Sequence, residues 1–333
     1  MVEREVIRRI IIEGQEFVNE ISLTERPFFF EQKGNYVFVG IRQAGKSYLL
    51  YQRIQQLLRE EHNINEIVYI NFDDERLRQM TADDLDLILQ AYHSLFDLRP
   101  LLFFDEIQNI EGWEHFARRL ANQKYNIYIT GSNAKMLSRE IATTLGGRFW
   151  NKDVYPYSFA EYLNARDIIL SKNWMYGKQA AEVSKAFNDY FLYGGFPELT
   201  DVIAKRVWLN DIYSKIFFSD LIVRNKVRNE EALGLLVRRL AENVKQPVSY
   251  TRLANLISSI GIKISKATVI EFIRYLKESC LIFPIENYAA KFAERNSNMK
   301  HYFIDNGLLS IFLLDGNTSL LENIVAIHLY KRY

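Results

Sequence analysis

Apolar residues recur along the chain in two rhythms. Over residues 3–20 the spacing is helical, and Val6, Ile10, Phe17 and Ile21 are expected to share one face of an amphipathic helix. Four short apolar runs follow, Tyr36–Val39, Ile67–Phe72, Leu101–Phe104 and Asn126–Thr130, each closed by polar or glycine-containing residues. Helical patterns lie between them at Ser47–Glu60, Ala82–Phe96 and Trp113–Ala121. Strand and helix alternating at this spacing predict βαβ units, hence a parallel sheet with helices on both faces. A fifth strand near Phe149–Tyr155 completes it. From about Tyr157 the pattern turns mainly helical, broken at Leu192–Pro197, where Gly194-Gly195 before Phe-Pro signals a turn. No repeat or low-complexity linker marks the junction, so the boundary falls between about 157 and 200.

Composition narrows the class. With 333 residues, 48% of them hydrophobic and 25% charged, the chain can bury a large core and is not disordered. The net charge of +1 argues against a basic nucleic-acid coater, but it conceals an asymmetry. Residues 1–200 carry 23 basic and 28 acidic side chains, whereas residues 201–333 carry 19 and 13. The single cysteine, Cys280, excludes an intrachain disulfide and is expected as a small buried hydrophobe in a cytoplasmic protein. No apolar stretch reaches membrane-spanning length, and the N-terminus lacks a signal-peptide cleavage pattern.

The chemistry is concentrated at strand ends. Gly40-Ile-Arg-Gln-Ala-Gly45-Lys46-Ser47 matches G-x-x-x-x-G-K-[ST] at every fixed position, directly after one predicted strand and opening one predicted helix. Glycines let the backbone curl so that its N–H groups face phosphate oxygens, and the helix N-terminus adds partial positive charge. Gly40, Arg42, Gln43, Ala44, Gly45, Lys46, Ser47 and Tyr48 are therefore the expected nucleotide-binding residues. Lys46 is placed for the β- and γ-phosphates and Ser47 for Mg²⁺. Arg42 is placed either for phosphate or for an acid such as Asp73 or Asp74.

The run Leu101–Phe104 ends in Asp105-Glu106. Asp105 at the carboxyl edge of a buried strand suits Mg²⁺, and Glu106 is placed to polarise an attacking water. The second carboxylate favours a water-activating ATPase over a small-molecule kinase. After the next strand, Ser132 or Asn133 is the candidate group for sensing the γ-phosphate, and the choice between them is open. Arg148, after Gly146-Gly147, is the candidate arginine finger, acting in cis or across a subunit boundary.

In the basic back half, residues 201–229 read as a packing helix ending in Arg224, Lys226 and Arg228. A helix-turn-helix pattern comes next. Val248–Ile257 forms the first helix, Gly261 the turn, and Ser265 caps a second helix with Val269, Phe272, Ile273 and Leu276 inward. Pro284 is expected to break the chain before a wing. Lys263, Lys266, Arg274 and Lys277 are candidates for a DNA backbone, diluted by Glu271 and Glu278.

Together these residues resemble the large prokaryotic family of AAA+ ATPases of the archaeal-ATPase type. The matching segments include the phosphate loop, Tyr69–Arg76, Phe104–Gln108 with Gly112-Trp113, Thr130–Ser132 and Gly147-Arg148. Pro156–Tyr162, Tyr193–Pro197 and the segment Lys300–Leu308 match too. The resemblance implies an AAA-type P-loop core with a five-stranded parallel sheet, a mainly helical region containing a winged helix, and the start of a nuclease-like module. The corresponding division is 1–160, 161–235, 236–290 and 291–333. Its nucleotide roles fall on Lys46, Ser47, Asp105, Glu106, Ser132 and Arg148. Glu322 lies in the helix that opens the nuclease-like module in the family, but without the further acids that a metal-dependent nuclease needs. The expected activity is Mg²⁺-dependent ATP binding and hydrolysis, coupled to the winged helix. The alternative is a nucleotide-gated module that binds DNA or protein, with self-association open in either case.

Overall fold

The computed structural model describes residues 3–132, 143–286 and 299–332. Contacts divide the chain into two compact units, Met1–Gly40 with Gly45–Val154, and Ile41–Ala44 with Tyr155–Tyr333.

The first unit is built on a five-stranded sheet in the order β2-β3-β4-β1-β5. Its strands are β1 (Asn35–Val39), β2 (Ile67–Asn71), β3 (Leu101–Asp105), β4 (Asn126–Gly131) and β5 (Phe149–Asp153). Every neighbouring pair is parallel. Val37, Phe38, Val39, Leu102, Phe103, Phe104, Ile127 and Ile129 are all fully buried, as a sheet covered on both faces requires. Part of the core is aromatic: Phe103 stacks on Tyr128 at 4.7 Å and Tyr128 on Tyr36 at 5.8 Å. The Tyr128 hydroxyl is kept from being a buried orphan by the Arg53 Nε, which donates to it at 3.2 Å.

Helices α1 (Arg4–Glu20), α2 (Lys46–Arg59), α3 (Asp86–His93) and α4 (Trp113–Asn122) accompany the sheet. The first of these forms where periodicity predicts it, but its buried face shares only Ile10 with the expected one. Ile7, Ile10, Ile11, Gly14 and Val18 are buried, whereas Phe17 is 48% exposed and meets Tyr51 edge-on at 5.4 Å. The i, i+3, i+4 stripe through Ile7, Ile11, Gly14 and Val18 competes with the stripe through Val6 and Phe17, and burial against β2 selects the former. Gln15 fixes that choice, because its buried Nε2 donates to the Ile67 carbonyl at 2.9 Å. The long helix expected over Ala82–Phe96 is instead a 3₁₀ turn, Ala82–Asp84, capped by Thr81 and followed by α3.

The second unit contains α5 (Phe159–Ala165), α6 (Lys178–Tyr193) and α7 (Lys205–Lys215), the last running into a π-helical stretch at Ile216–Val223. There follow α8 (Glu230–Glu242), α9 (Tyr250–Ser258), α10 (Lys266–Glu278), β6 (Ile282–Ile285), β7 (Lys300–Phe303), α11 (Asn306–Ser310) and α12 (Asn317–Arg332). Ser265 caps α10 as expected, its hydroxyl accepting from the Thr268 N–H at 3.0 Å. Pro284 does not break the chain: it lies within β6, paired with His301 of antiparallel β7. Cys280 is only partly buried and adopts a positive φ of 57°. No helix among the described residues is long and apolar enough to cross a membrane.

Two segments far apart in sequence meet at Asp305. Its buried carboxylate accepts from the Gly195 N–H at 2.8 Å and the Gly307 N–H at 2.7 Å. Gly194 has φ +79°, and a Cβ there would lie 1.8 Å from the Asp305 Oδ1, so only glycine fits. Burial raises the Asp305 pKa to about 6, opposed by these N–H donors.

His301 is 3% exposed, and neither of its ring nitrogens has a hydrogen-bond partner among the described residues. Burial, and secondarily the Lys277 charge, lower its pKa from 6.5 to about 4. The unfolded chain therefore takes up a proton near pH 6.5 while the folded chain resists until about pH 4. Stability is whole above 6.5 and falls by up to about 1.4 kcal/mol per pH unit between those values. His301→Leu is expected to lose less stability than wild type between pH 7.5 and 4.5 in urea unfolding. Equal acid losses in the two proteins would contradict this account of His301.

Candidate functional site

The phosphate loop follows β1 and opens α2, as its spacing predicts. Gly45 is the helix N-cap with φ 90°, a left-handed conformation that glycine adopts without strain. Gln43 adopts a positive φ of 60°, so two residues of the loop use the left-handed region and give it its curl. Lys46 is 4% exposed, its Nζ donating to the Gly40 carbonyl at 3.1 Å and lying 3.9 Å from the Glu106 Oε1. Ala44 is buried, and the Tyr48 ring is 48% exposed on the first turn of α2.

The register of the sheet brings the chemistry to one edge. Phe104 of β3 pairs with Ile129 of β4, so Asp105 and Thr130 come level at the carboxyl ends of adjacent strands. Asp105 is 1% exposed and is surrounded by hydroxyl donors. Tyr69 Oη donates to Oδ2 at 2.9 Å, Thr130 Oγ1 donates to Oδ1, and the Ser47 hydroxyl also bonds the carboxylate. Burial raises the Asp105 pKa, the Glu106 charge adds to this, and the Thr130, Ser47 and Tyr69 hydrogen bonds oppose it. The Tyr51 and Tyr69 hydroxyls are 2.9 Å apart. Since Tyr69 gives its proton to Asp105, Tyr51 must donate to Tyr69. Burial pushes the Tyr51 pKa up to about 12 and the Tyr69 pKa higher still.

Glu106 follows with φ 53°, the left-handed region in which a non-glycine residue is uncommon. Its N–H donates to the Thr130 Oγ1 at 3.0 Å, so one hydroxyl ties both acids to β4. The Glu106 Oε2 accepts from the Gln108 Nε2 at 2.5 Å. The same Nε2 lies 3.3 Å from the Ser132 Oγ, and Ser132 is 2% exposed. Lys46, Ser47, Asp105, Glu106 and Ser132 are thus gathered at one sheet edge. Asn133, the alternative to Ser132, lies outside the described residues.

Two expectations change. Arg42 pairs with neither Asp73 nor Asp74. Within the second unit it makes a two-pronged bond to buried Asp220, with Nε and Nη2 each 3.1 Å from a carboxylate oxygen. Arg224 meets the same carboxylate at 2.9 Å. Asp74 is taken by Arg76 and Asp73 by Asn109. Arg148 precedes β5, whose first residue pairs with Asn35 at the start of β1. It stands at the amino edge of the sheet, roughly one strand length, about 17 Å, from the edge that carries the phosphate loop. Its guanidinium folds back onto the Gly146 carbonyl at 3.0 Å. An arginine finger acting in cis does not fit this placement.

Sequence reasoning missed Tyr69, Thr130 and Gln108 as members of the site. Thr130 had a signal, since it ends an apolar strand beside the Asp105 strand. Tyr69 and Gln108 lie in segments that match the family, but their contacts arise only when the strands are side by side.

This architecture is an AAA-type P-loop fold. Residues 32–163 match the AAA domain family, and residues 184–319 match a domain of unknown function. The Walker-type ATPase Paby2304 of Pyrococcus abyssi is similar in structure, with a TM-score of 0.52. At 14% identity, with 94% of this chain and 96% of that one covered, that likeness is one of fold. The uncharacterized protein MJ1544 of Methanocaldococcus jannaschii is 31% identical over 339 residues, which cover the whole of this chain and 75% of the relative. An uncharacterized protein of Haemophilus influenzae is 31% identical over 304 residues, with 89% of this chain and 74% of the relative covered. The chain belongs to the family of these two proteins, and its front part matches the AAA domain family.

Thr130 bonds both the buried Asp105 carboxylate and the Glu106 N–H. Thr130→Val keeps the shape and removes both bonds, and should cost about 1–3 kcal/mol in urea unfolding. Thr130→Ser should cost less than half as much. Equal losses in the two variants would show that the hydroxyl is not what holds the strand ends together.

Proposed function

We propose that the chain is a Mg²⁺-dependent ATPase of the AAA type. The observation that carries this reading is the placement of Lys46. It is a buried ammonium resting on the Gly40 carbonyl at 3.1 Å, with the partly exposed Glu106 carboxylate 3.9 Å away. An ammonium so placed gains from a phosphate, which would replace one neutral carbonyl with charged oxygens.

In the proposed cycle the loop amides and Lys46 hold the β- and γ-phosphates. Glu106 takes a proton from water as the water oxygen bonds to the γ-phosphorus. The bond from that phosphorus to the β–γ bridging oxygen breaks, and ADP and phosphate leave. Ser132 contacts the γ-phosphate. Ser47 and Asp105 are bonded to each other and suit a hard cation whose other ligands are phosphate oxygens and water. When bound, Mg²⁺ supplies charge neutralisation on the phosphates. Arg148 keeps a role only across a subunit boundary, which requires self-association.

Within the second unit we take 161–235 as a helical region and 236–290 as a winged helix, in a protein of the cytoplasm. Arg42, part of the phosphate loop by covalent connection, is held by Asp220 of the second unit. This supports coupling of nucleotide state to that unit. A second reading, nucleotide-gated DNA binding, is favoured by the exposure of Lys263, Lys266, Arg274 and Lys277 on and before α10. Glu271 and Glu278 lie 4.0 and 3.9 Å from Arg274 and weaken that patch.

Lys46→Ala should abolish ATP binding measured by calorimetry. Glu106→Gln should bind ATP with Mg²⁺ but turn it over at least about a hundredfold more slowly, the scale of a lost general base. Retained turnover in Glu106→Gln would sink the role given to Glu106. DNA titrations at two salt concentrations, with and without ATP, decide the second reading, since phosphate contacts weaken steeply with salt. No salt-dependent binding in either state removes it.

A further inference from the structure

We infer that Gln108 is a positioning residue. Its side-chain amide holds the Glu106 carboxylate in place and ties it to Ser132, so that the water-activating group and the phosphate-contacting group are set as one unit. The inference rests on the ATPase reading of the site, and concerns a residue to which that reading gives no part.

Gln108 lies in the short 3₁₀ turn Ile107–Asn109 that follows β3. A carboxylate can only accept hydrogen bonds, so the end of the amide that meets Glu106 Oε2 at 2.5 Å must be the NH₂ group. The same NH₂ reaches the Ser132 Oγ at 3.3 Å, using its second proton. With Oε2 held in this way, the other carboxylate oxygen, Oε1, is the one directed at Lys46, 3.9 Å away. That orientation is what in-line attack needs: one oxygen fixed, the other facing the place where Lys46 and phosphate meet.

The far end of the amide separates a positioning role from a structural one. The Gln108 Oε1 is buried and has no hydrogen-bond partner among the described residues. A buried, unpaired carbonyl oxygen lowers stability, so an apolar side chain of the same length would suit the fold as well or better. The amide is therefore not explained by what it does for the fold. Its two donor contacts, to Glu106 and Ser132, are the ones that chemistry would use. The backbone of Glu106 is held separately, by its left-handed conformation and the Thr130 hydroxyl, so removing the amide frees the carboxylate without moving the chain.

The test is Gln108→Met, near in length and lacking both the donors and the orphan oxygen. Thermal unfolding should show Tm unchanged or raised. Steady-state ATP hydrolysis should show kcat lowered about ten- to a hundredfold, a part of what a general base contributes, with KM for ATP within about threefold of wild type. Ser132→Ala and the double variant complete a cycle. If the amide ties the two groups together, the loss in the double variant falls short of the product of the single losses by about fivefold or more. Wild type that does not hydrolyse ATP at all overturns the ATPase reading and this inference with it. Wild-type turnover with an unchanged kcat in Gln108→Met overturns the inference alone. So does a lowered Tm with a raised KM, the signature of a merely structural amide. Single losses that multiply in the double variant overturn the link to Ser132.

Discussion

A single buried carboxylate constrains the organisation of the first unit. Asp105 is 1% exposed at the end of a strand with apolar neighbours, where an unsupported negative charge would cost far more than the fold could bear. It is tolerated because three hydroxyls from three other segments converge on it: Thr130 from β4, Tyr69 from β2 and Ser47 from the start of α2. Each donor is also a positional requirement. Thr130 demands that β3 and β4 be neighbours in register, Tyr69 that β2 flank β3 on the other side, and Ser47 that the phosphate loop close over the strand ends. The order β2-β3-β4-β1-β5 satisfies all three.

The acid that follows shows how the same constraint becomes chemical. Glu106 leaves the strand, its backbone turning through the left-handed region at φ 53°. The turn leaves the carboxylate partly exposed, 3.9 Å from the Lys46 Nζ. The ammonium thus has a neutral carbonyl at 3.1 Å and a carboxylate oxygen at 3.9 Å, where a triphosphate would offer several charged oxygens. Tyr51 and Tyr69, whose pKa values burial raises, stay protonated and form a relay in which Tyr51 donates to Tyr69 and Tyr69 to Asp105, without adding charge.

The legible parts of this arrangement are those written locally in the chain. The phosphate loop declares itself within eight residues, because its glycines, lysine and serine are covalent neighbours. The strands are readable as apolar runs, and Asp105-Glu106 as the polar end of one of them. The inward face of α1 was misread because two helical stripes overlap in its sequence, and only the site where Gln15 meets the Ile67 carbonyl chooses between them. The sequence places Arg42 either at phosphate or at an acid such as Asp73 or Asp74, whereas the carboxylate it meets, Asp220, lies 178 residues away. Arg148 looked like a finger from its glycine approach, yet strand pairing puts it at the opposite edge of the sheet. Gln108 stands in a matching segment with no role readable there, since nothing local says that Ser132 will stand beside it. In each case the missing information is a tertiary contact, which neither periodicity nor spacing contains.

The central claim is that a phosphate takes over the buried ammonium now resting on the Gly40 carbonyl. A crystal structure of Glu106→Gln grown with ATP and Mg²⁺ tests it most directly. The account predicts Lys46 Nζ within hydrogen-bond distance of β- and γ-phosphate oxygens, its bond to Gly40 lost, and Mg²⁺ beside Ser47 and Asp105. Nucleotide bound elsewhere, or Lys46 still on the Gly40 carbonyl with the triphosphate out of its reach, would contradict it.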